Sequence, residues 1–158
     1  MKNEGWEKQQ VRRASYRAAL RSDAGEAQND RAFAECQRIL EQEKEAHRLL
    51  AASLYRYGRF LFLYTEGIGE TAVPEKLFAP AVPLLQKWPV TIEEPDNDRV
   101  WVLMQPYYYH AIPESAEEWM RNRQPSQRRG RIALLAPGKW ENYMMHHLAL
   151  MRDGLIEG

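Results

Sequence analysis

The sequence predicts an α+β fold, and two observations predict it. Residues 14–21 alternate strictly, with Ala14, Tyr16, Ala18 and Leu20 on one side and Ser15, Arg17, Ala19 and Arg21 on the other. That period of two belongs to a half-buried strand. Residues 29–48 then place Phe33, Cys36, Ile39 and Leu40 at helical spacing among Glu, Gln and Lys, the pattern of a long surface helix. The turn between them is Ser22-Asp23-Ala24-Gly25.

Two aromatic, β-rich runs follow at residues 53–57 and 60–66, joined through Gly58-Arg59 as a hairpin. Residues 74–88 are helical in pattern, but Pro80 and Pro83 each remove a donor and restrict the residue before them, so two short pieces with a bend are expected. Residues 99–109 read as a fourth strand. Ser115-Ala116-Glu117-Glu118 reads as a capping box opening a short helix with Trp119 and Met120 that ends by Pro125. Setting that helix aside, the order is β-α-β-β-α-β, the split pattern of a ferredoxin-like sheet with its helices on one face.

The pattern then restarts. Residues 131–136 alternate, Pro137-Gly138 turns, and residues 139–152 are helical, so the second unit stops after one strand and one helix. The expected organisation is an N-terminal extension at 1–10, a complete unit at 11–125 and an incomplete one at 126–158. Either the chain is a fragment of a longer two-unit protein, or the orphan strand and helix complete a sheet in a partner molecule. The oligomer expected is a dimer, formed through sheet faces or through the incomplete unit.

Composition narrows the function classes. Apolar residues at 44% and charged residues at 28% exclude wholesale disorder. Lys plus Arg and Asp plus Glu both number 22, so no global field draws nucleic acid or an acidic membrane. The strongest apolar run, residues 60–64, is too short to span a bilayer, and no apolar stretch follows the lysine at position 2. With one cysteine, Cys36, there is neither an internal disulfide nor a thiolate metal site, and a reducing, cytoplasmic setting suits it. Four scattered histidines show no H-E-x-x-H or H-x-x-E-H spacing, so no metal is expected.

Candidate chemistry sits in two places. On the last helix Trp140, Tyr143, Met144, His147, Leu148 and Met151 form one apolar stripe, with Tyr143 and His147 one turn apart and His146 rotated away. A phenol can donate or orient a proton and an imidazole can shuttle one near neutral pH, although the same pair also serves as core packing. The other place is the sheet. Phe60, Phe62, Tyr64 and Glu66 share one strand face, as do Trp101, Leu103, Gln105, Tyr107 and Tyr109. If those faces are the ones not covered by helices, Arg17, Tyr64, Glu66, Gln105 and Tyr107 line a surface fit for a neutral or anionic sugar, or for a dimer interface. The cluster Arg121, Arg123, Arg128, Arg129 and Arg131 reads as a phosphate fork or a solvated linker.

The stretch 131–136, the Pro137-Gly138 turn and the Tyr143-x-x-x-His147 helix resemble the opening of the L-rhamnose mutarotase family, dimeric α+β barrels built on ferredoxin-like units. Residues 59–158 also resemble uncharacterised bacterial proteins with two such units in tandem. The resemblance implies a sugar site at Tyr143 and His147 and a cofactor-free isomerase. The first unit offers Phe33 and Gln37 at that spacing, so its own copy of the site lacks both groups. The alternative is a non-catalytic oligomerisation or small-ligand-binding module.

Overall fold

The computed structural model describes Gly5 and residues 8–46, 49–69, 72–88, 98–104, 113–122 and 135–152. It is a mixed α+β structure that divides into two compact units, the described part of the second being residues 135–152.

The first unit is organised by strand β1 (Val11–Leu20), which pairs antiparallel with β3 (Phe60–Ile68) along nearly its whole length. β3 pairs in turn with β2 (Ala51–Tyr57) through a two-residue turn, Gly58-Arg59. Gly58 there has φ +56°, the left-handed value that two-residue hairpins demand at their first loop position. Helix α1 (Glu26–Glu45) connects β1 to β2. It begins three residues before the apolar periodicity does, because the Gly25 carbonyl already accepts from the Gln28 and Asn29 amides.

The alternation in β1 is real and has a structural consequence. Ala14, Tyr16, Ala18 and Leu20 pack with Leu61 and Leu63 of β3 against Ala32, Cys36, Ile39 and Leu40 of α1. Each fully buried aliphatic side chain here contributes roughly 1.5–3 kcal/mol. Arg56 of β2 ties the hairpin to the start of α1, donating to Glu26 at 2.6 Å and Asp30 at 2.5 Å, and to the Gly58 carbonyl at 2.7 Å. Those carboxylates are solvent-exposed, so each ion pair adds only about 0–1 kcal/mol.

The segment from 74 to 103 departs from expectation. Helix α2 (Pro74–Leu77) has one turn, Val82–Leu84 forms a 3-10 turn, and Leu85–Gln86 is not helical but a strand, β4. β4 pairs with Ala19 and Leu20 of β1, and β5 (Val102–Leu103) pairs with Tyr16 and Arg17. Both run antiparallel to β1, so two short strands pair with it at successive positions. After β4 the Trp88 amide donates to the Arg99 carbonyl at 2.9 Å, and Lys87 forms an ion pair with Asp98. The expected strand at 99–109 is thus observed as Val102–Leu103, with residues 105–109 outside the described part. Local pattern misplaced Leu85 because the unsatisfied edge of β1, and not its neighbours in sequence, holds it extended. The sheet order is β2-β3-β1-β4, with β5 also on β1.

Helix α3 (Ala116–Asn122) opens much as the capping motif predicts. The Glu118 amide donates to Ser115 Oγ at 3.2 Å, while the Glu118 carboxylate accepts from the amide of Glu114, one residue earlier than a capping box requires. In the second unit, Gly138 (φ +70°) turns the chain and the Lys139 amide donates to the Ala136 carbonyl before helix α4 (Trp140–Arg152). Leu135 and Ala136 are not in a strand, and the rest of the expected strand, 131–134, lies outside the described residues.

Cys36 is wholly buried, and burial pushes its thiol up from 9.0 to about 12, the Glu35 carboxylate adding to the effect. The folded chain therefore holds this proton more tightly than the unfolded chain. The associated stability is complete below pH 9.0 and is lost as pH rises toward about 12. Native protein at about pH 8 should leave Ellman's reagent unreduced and react with one equivalent only after urea unfolding. Rapid reaction of the folded chain would show that Cys36 is not enclosed.

Candidate functional site

Because side chains alternate along a strand, packing one face of β1 and β3 on α1 commits the other face to a different chemistry. That face carries Arg13, Ser15 and Arg17 from β1 and Phe60, Phe62, Tyr64 and Glu66 from β3. The register sets Arg13 beside Glu66, Ser15 beside Tyr64 and Arg17 beside Phe62. Three of the expected ligand-binding residues, Arg17, Tyr64 and Glu66, are therefore brought to one face. Gln105 and Tyr107 lie outside the described residues.

Glu66 is the centre of this face. Its side chain is 2% exposed, and both carboxylate oxygens are engaged. Oε1 accepts from Arg13 Nε at 2.9 Å and from the Tyr64 hydroxyl, and Oε2 accepts from Trp119 Nε1 at 2.5 Å. A buried carboxylate persists only when its charge and lone pairs are matched in this way. The three donors come from β1, β3 and α3, so a single side chain joins three elements.

At the other end of the face Arg17 lies over the Trp88 ring, 4.8 Å from its centroid, and Phe60 meets the same ring at 5.3 Å and 49°. Arg59 stands 5.2 Å from the Phe60 ring. Each cation–π contact is worth about 0.5–1 kcal/mol at a partly exposed site. These rings are half-buried, giving a surface of flat apolar plates edged by guanidinium groups.

Two tryptophans of this face escaped the sequence reading. Trp88 lies just beyond the two-residue strand β4, which has no period that would assign it to a face. Trp119 reaches Glu66 from a helix remote in sequence, and no local signal points there. Trp101, grouped with the sheet-face residues on sequence, instead stacks on Phe78 at 5.0 Å within the core beneath α1.

In the second unit Tyr143 and His147 make the expected one-turn pair. Their ring centroids are 4.2 Å apart and both side chains are half-buried. His147 Nδ1 lies 3.0 Å from the Tyr143 carbonyl oxygen, within hydrogen-bond distance. His146 is exposed and meets His147 edge-on at 5.9 Å. The stripe itself is less enclosed than its pattern implies, with Trp140 49% exposed and Leu148 38% exposed. Of the arginine cluster, Arg121 pairs with Glu117 at 2.8 Å and the others lie outside the described residues. Among the described residues, no group of three or more His, Cys, Asp or Glu is placed to hold a metal, and no helix is long and apolar enough to cross a membrane.

Removing Glu66 takes one buried acceptor each from Arg13, Tyr64 and Trp119. Glu66→Ala is expected to cost about 3–5 kcal/mol by urea unfolding. Glu66→Gln, which keeps an acceptor and loses the charge, should cost about 1–3 kcal/mol. Two variants as stable as the parent would remove Glu66 from the centre of this face. Compared with known proteins, the chain has no match among family models, curated proteins or solved structures.

Proposed function

We propose that this chain is a cofactor-free, sugar-binding isomerase of the mutarotase type, with Tyr143 and His147 as its proton-transfer pair. The observation that carries the reading is the paired imidazole and phenol: the Tyr143 and His147 rings lie 4.2 Å apart, centroid to centroid, with His147 Nδ1 3.0 Å from the Tyr143 carbonyl oxygen. Mutarotation asks for little more. A base takes the proton from the anomeric hydroxyl as an acid protonates the ring oxygen; the C–O bond opens to the aldehyde, which rotates and recloses. His147 is the base and Tyr143 the assisting acid.

The first unit supports the sugar class separately. Aromatic plates at Phe60 and Trp88 suit the C–H faces of a sugar ring, and Arg17 and Tyr64 suit its hydroxyls. The antiparallel order β2-β3-β1-β4, with helices following β1 and β3, supports a ferredoxin-like plan and hence the dimeric α+β barrel class.

A second reading, a non-catalytic oligomerisation or ligand-binding module, is favoured by the exposed apolar groups of the second unit, Trp140, Met145 at 65% and Leu148.

Two measurements separate these readings. Proton saturation transfer between sugar anomers, across a panel of deoxy and uronic sugars, should accelerate with the protein for one sugar and fall at least about tenfold with His147→Gln. Unchanged exchange in that variant would end the proton-transfer role. Sedimentation at micromolar concentration should give a dimer on the assembly reading, and a strict monomer would exclude it.

A further inference from the structure

We propose that the outer edge of β2 is a self-pairing surface, on which a second copy of this chain docks its own β2 antiparallel about a twofold axis at Leu54, continuing the sheet from one protomer into the next. The inference is independent of the isomerase reading and uses a surface other than the apolar groups of the second unit.

β2 ends the sheet order, and among the described residues no strand pairs with its far side. None of its residues is buried, whereas the adjoining β3 buries Leu61, Leu63, Thr65 and Glu66. Ladder parity decides which main-chain groups face outward. The Leu20 amide donates to the Arg59 carbonyl at 2.8 Å and the Gly69 amide to the Gln10 carbonyl at 3.0 Å. β3 therefore turns the main chain of its odd-numbered residues toward β1, and that of Phe60, Phe62, Tyr64 and Glu66 toward β2. These meet Tyr57, Tyr55, Ser53 and Ala51. The amides and carbonyls of Ala52, Leu54 and Arg56 thus point away from β3, the template that an incoming strand requires.

Proteins that stay monomeric blunt such an edge with Lys, Pro, a bulge or a charge aimed at the incoming strand. β2, Ala-Ala-Ser-Leu-Tyr-Arg-Tyr, has no Lys, Pro, Gly or acidic residue, and its one charge, Arg56, is committed to Glu26 and Asp30 of α1. The strand also complements itself. In an antiparallel pair centred on Leu54 the whole strand is matched: Leu54 meets Leu54 of the second copy, Arg56 meets Ala52, Tyr55 meets Ser53 and Tyr57 meets Ala51. Each long side chain off the axis has a small one opposite it, and no like charges face each other. The outward amides of Ala52, Leu54 and Arg56 fall at the hydrogen-bonded positions of this register. Tyr57, 59% exposed, gains a neighbour across the junction. Moving the axis to Arg56 would set guanidinium against guanidinium and leave residues 51–54 unpaired.

One seven-residue edge is a small interface, so monomer and dimer exchange and concentration sets the balance. Residue-resolved amide hydrogen exchange of the full chain, read alongside sedimentation, tests this. The Ala52, Leu54 and Arg56 amides should exchange at least about tenfold more slowly at about 500 μM than at about 5 μM, a larger factor than for any amide of β1, as sedimentation passes from monomer to dimer. Ser53→Lys with Tyr55→Lys sets lysine against lysine across the junction and should hold the chain monomeric. Ser53→Glu with Tyr55→Lys sets opposite charges there and should restore the dimer. A dimer whose outward β2 amides exchange equally fast at both concentrations uses another surface and overturns the proposal, as does a monomer at about 500 μM. A monomer in which these amides are equally protected at both concentrations pairs the edge with its own chain, which also overturns it. If the two double variants share one oligomeric state, the register centred on Leu54 is overturned. The parental exchange decides whether or not the variants fold.

Discussion

The β1–β3 pairing is the constraint on which the first unit depends. Its register, Val11 against Ile68 through Ala19 against Phe60, decides every later contact because the side-chain period is two. A slip of one residue would turn Tyr16, Ala18, Leu61 and Leu63 away from α1 and drive Arg17, Phe62 and Glu66 into the core. The burial of Ala18, Leu61 and Leu63 on the α1 side excludes that slip.

From this register follows the placement of charge. Glu66 is buried only because Arg13 stands opposite it and because Tyr64, two residues earlier on the same face, points the same way. The third donor, Trp119, comes from far along the chain. A carboxylate so enclosed is a hub, with Arg13 and Tyr64 organised around it. The aromatic end of the face, with Arg17, Trp88 and Phe60, has a different character: plates and cations, half-open to solvent. In the second unit the i to i+4 spacing of a single helix suffices to place the Tyr143 and His147 rings in contact.

How legible was this in the sequence? Features set by local periodicity were. The alternation at 14–21, the stripe of Cys36, Ile39 and Leu40, the Gly58-Arg59 hairpin, the Ser115 cap and the Tyr143–His147 pair each arise from spacing along one segment. The grouping of Arg17, Tyr64 and Glu66 was legible too, since strand parity in two strands and one assumption about the covered face suffice. Leu85–Gln86 was not, because a two-residue strand has no period to detect and exists only by bonding to the free edge of β1.

The amino-acid sequence by itself determined which faces are apolar, where the hairpin turns and which groups of α4 can meet, because these depend on covalent spacing and backbone geometry alone. The tertiary structure alone decided that Glu66 is buried, that Trp119 caps it, that Trp88 underlies Arg17 and that Trp101 joins the core. Those contacts link residues tens of positions apart. Their existence depends on the order of strands in the sheet and on which edge each later segment finds, and no local propensity encodes either.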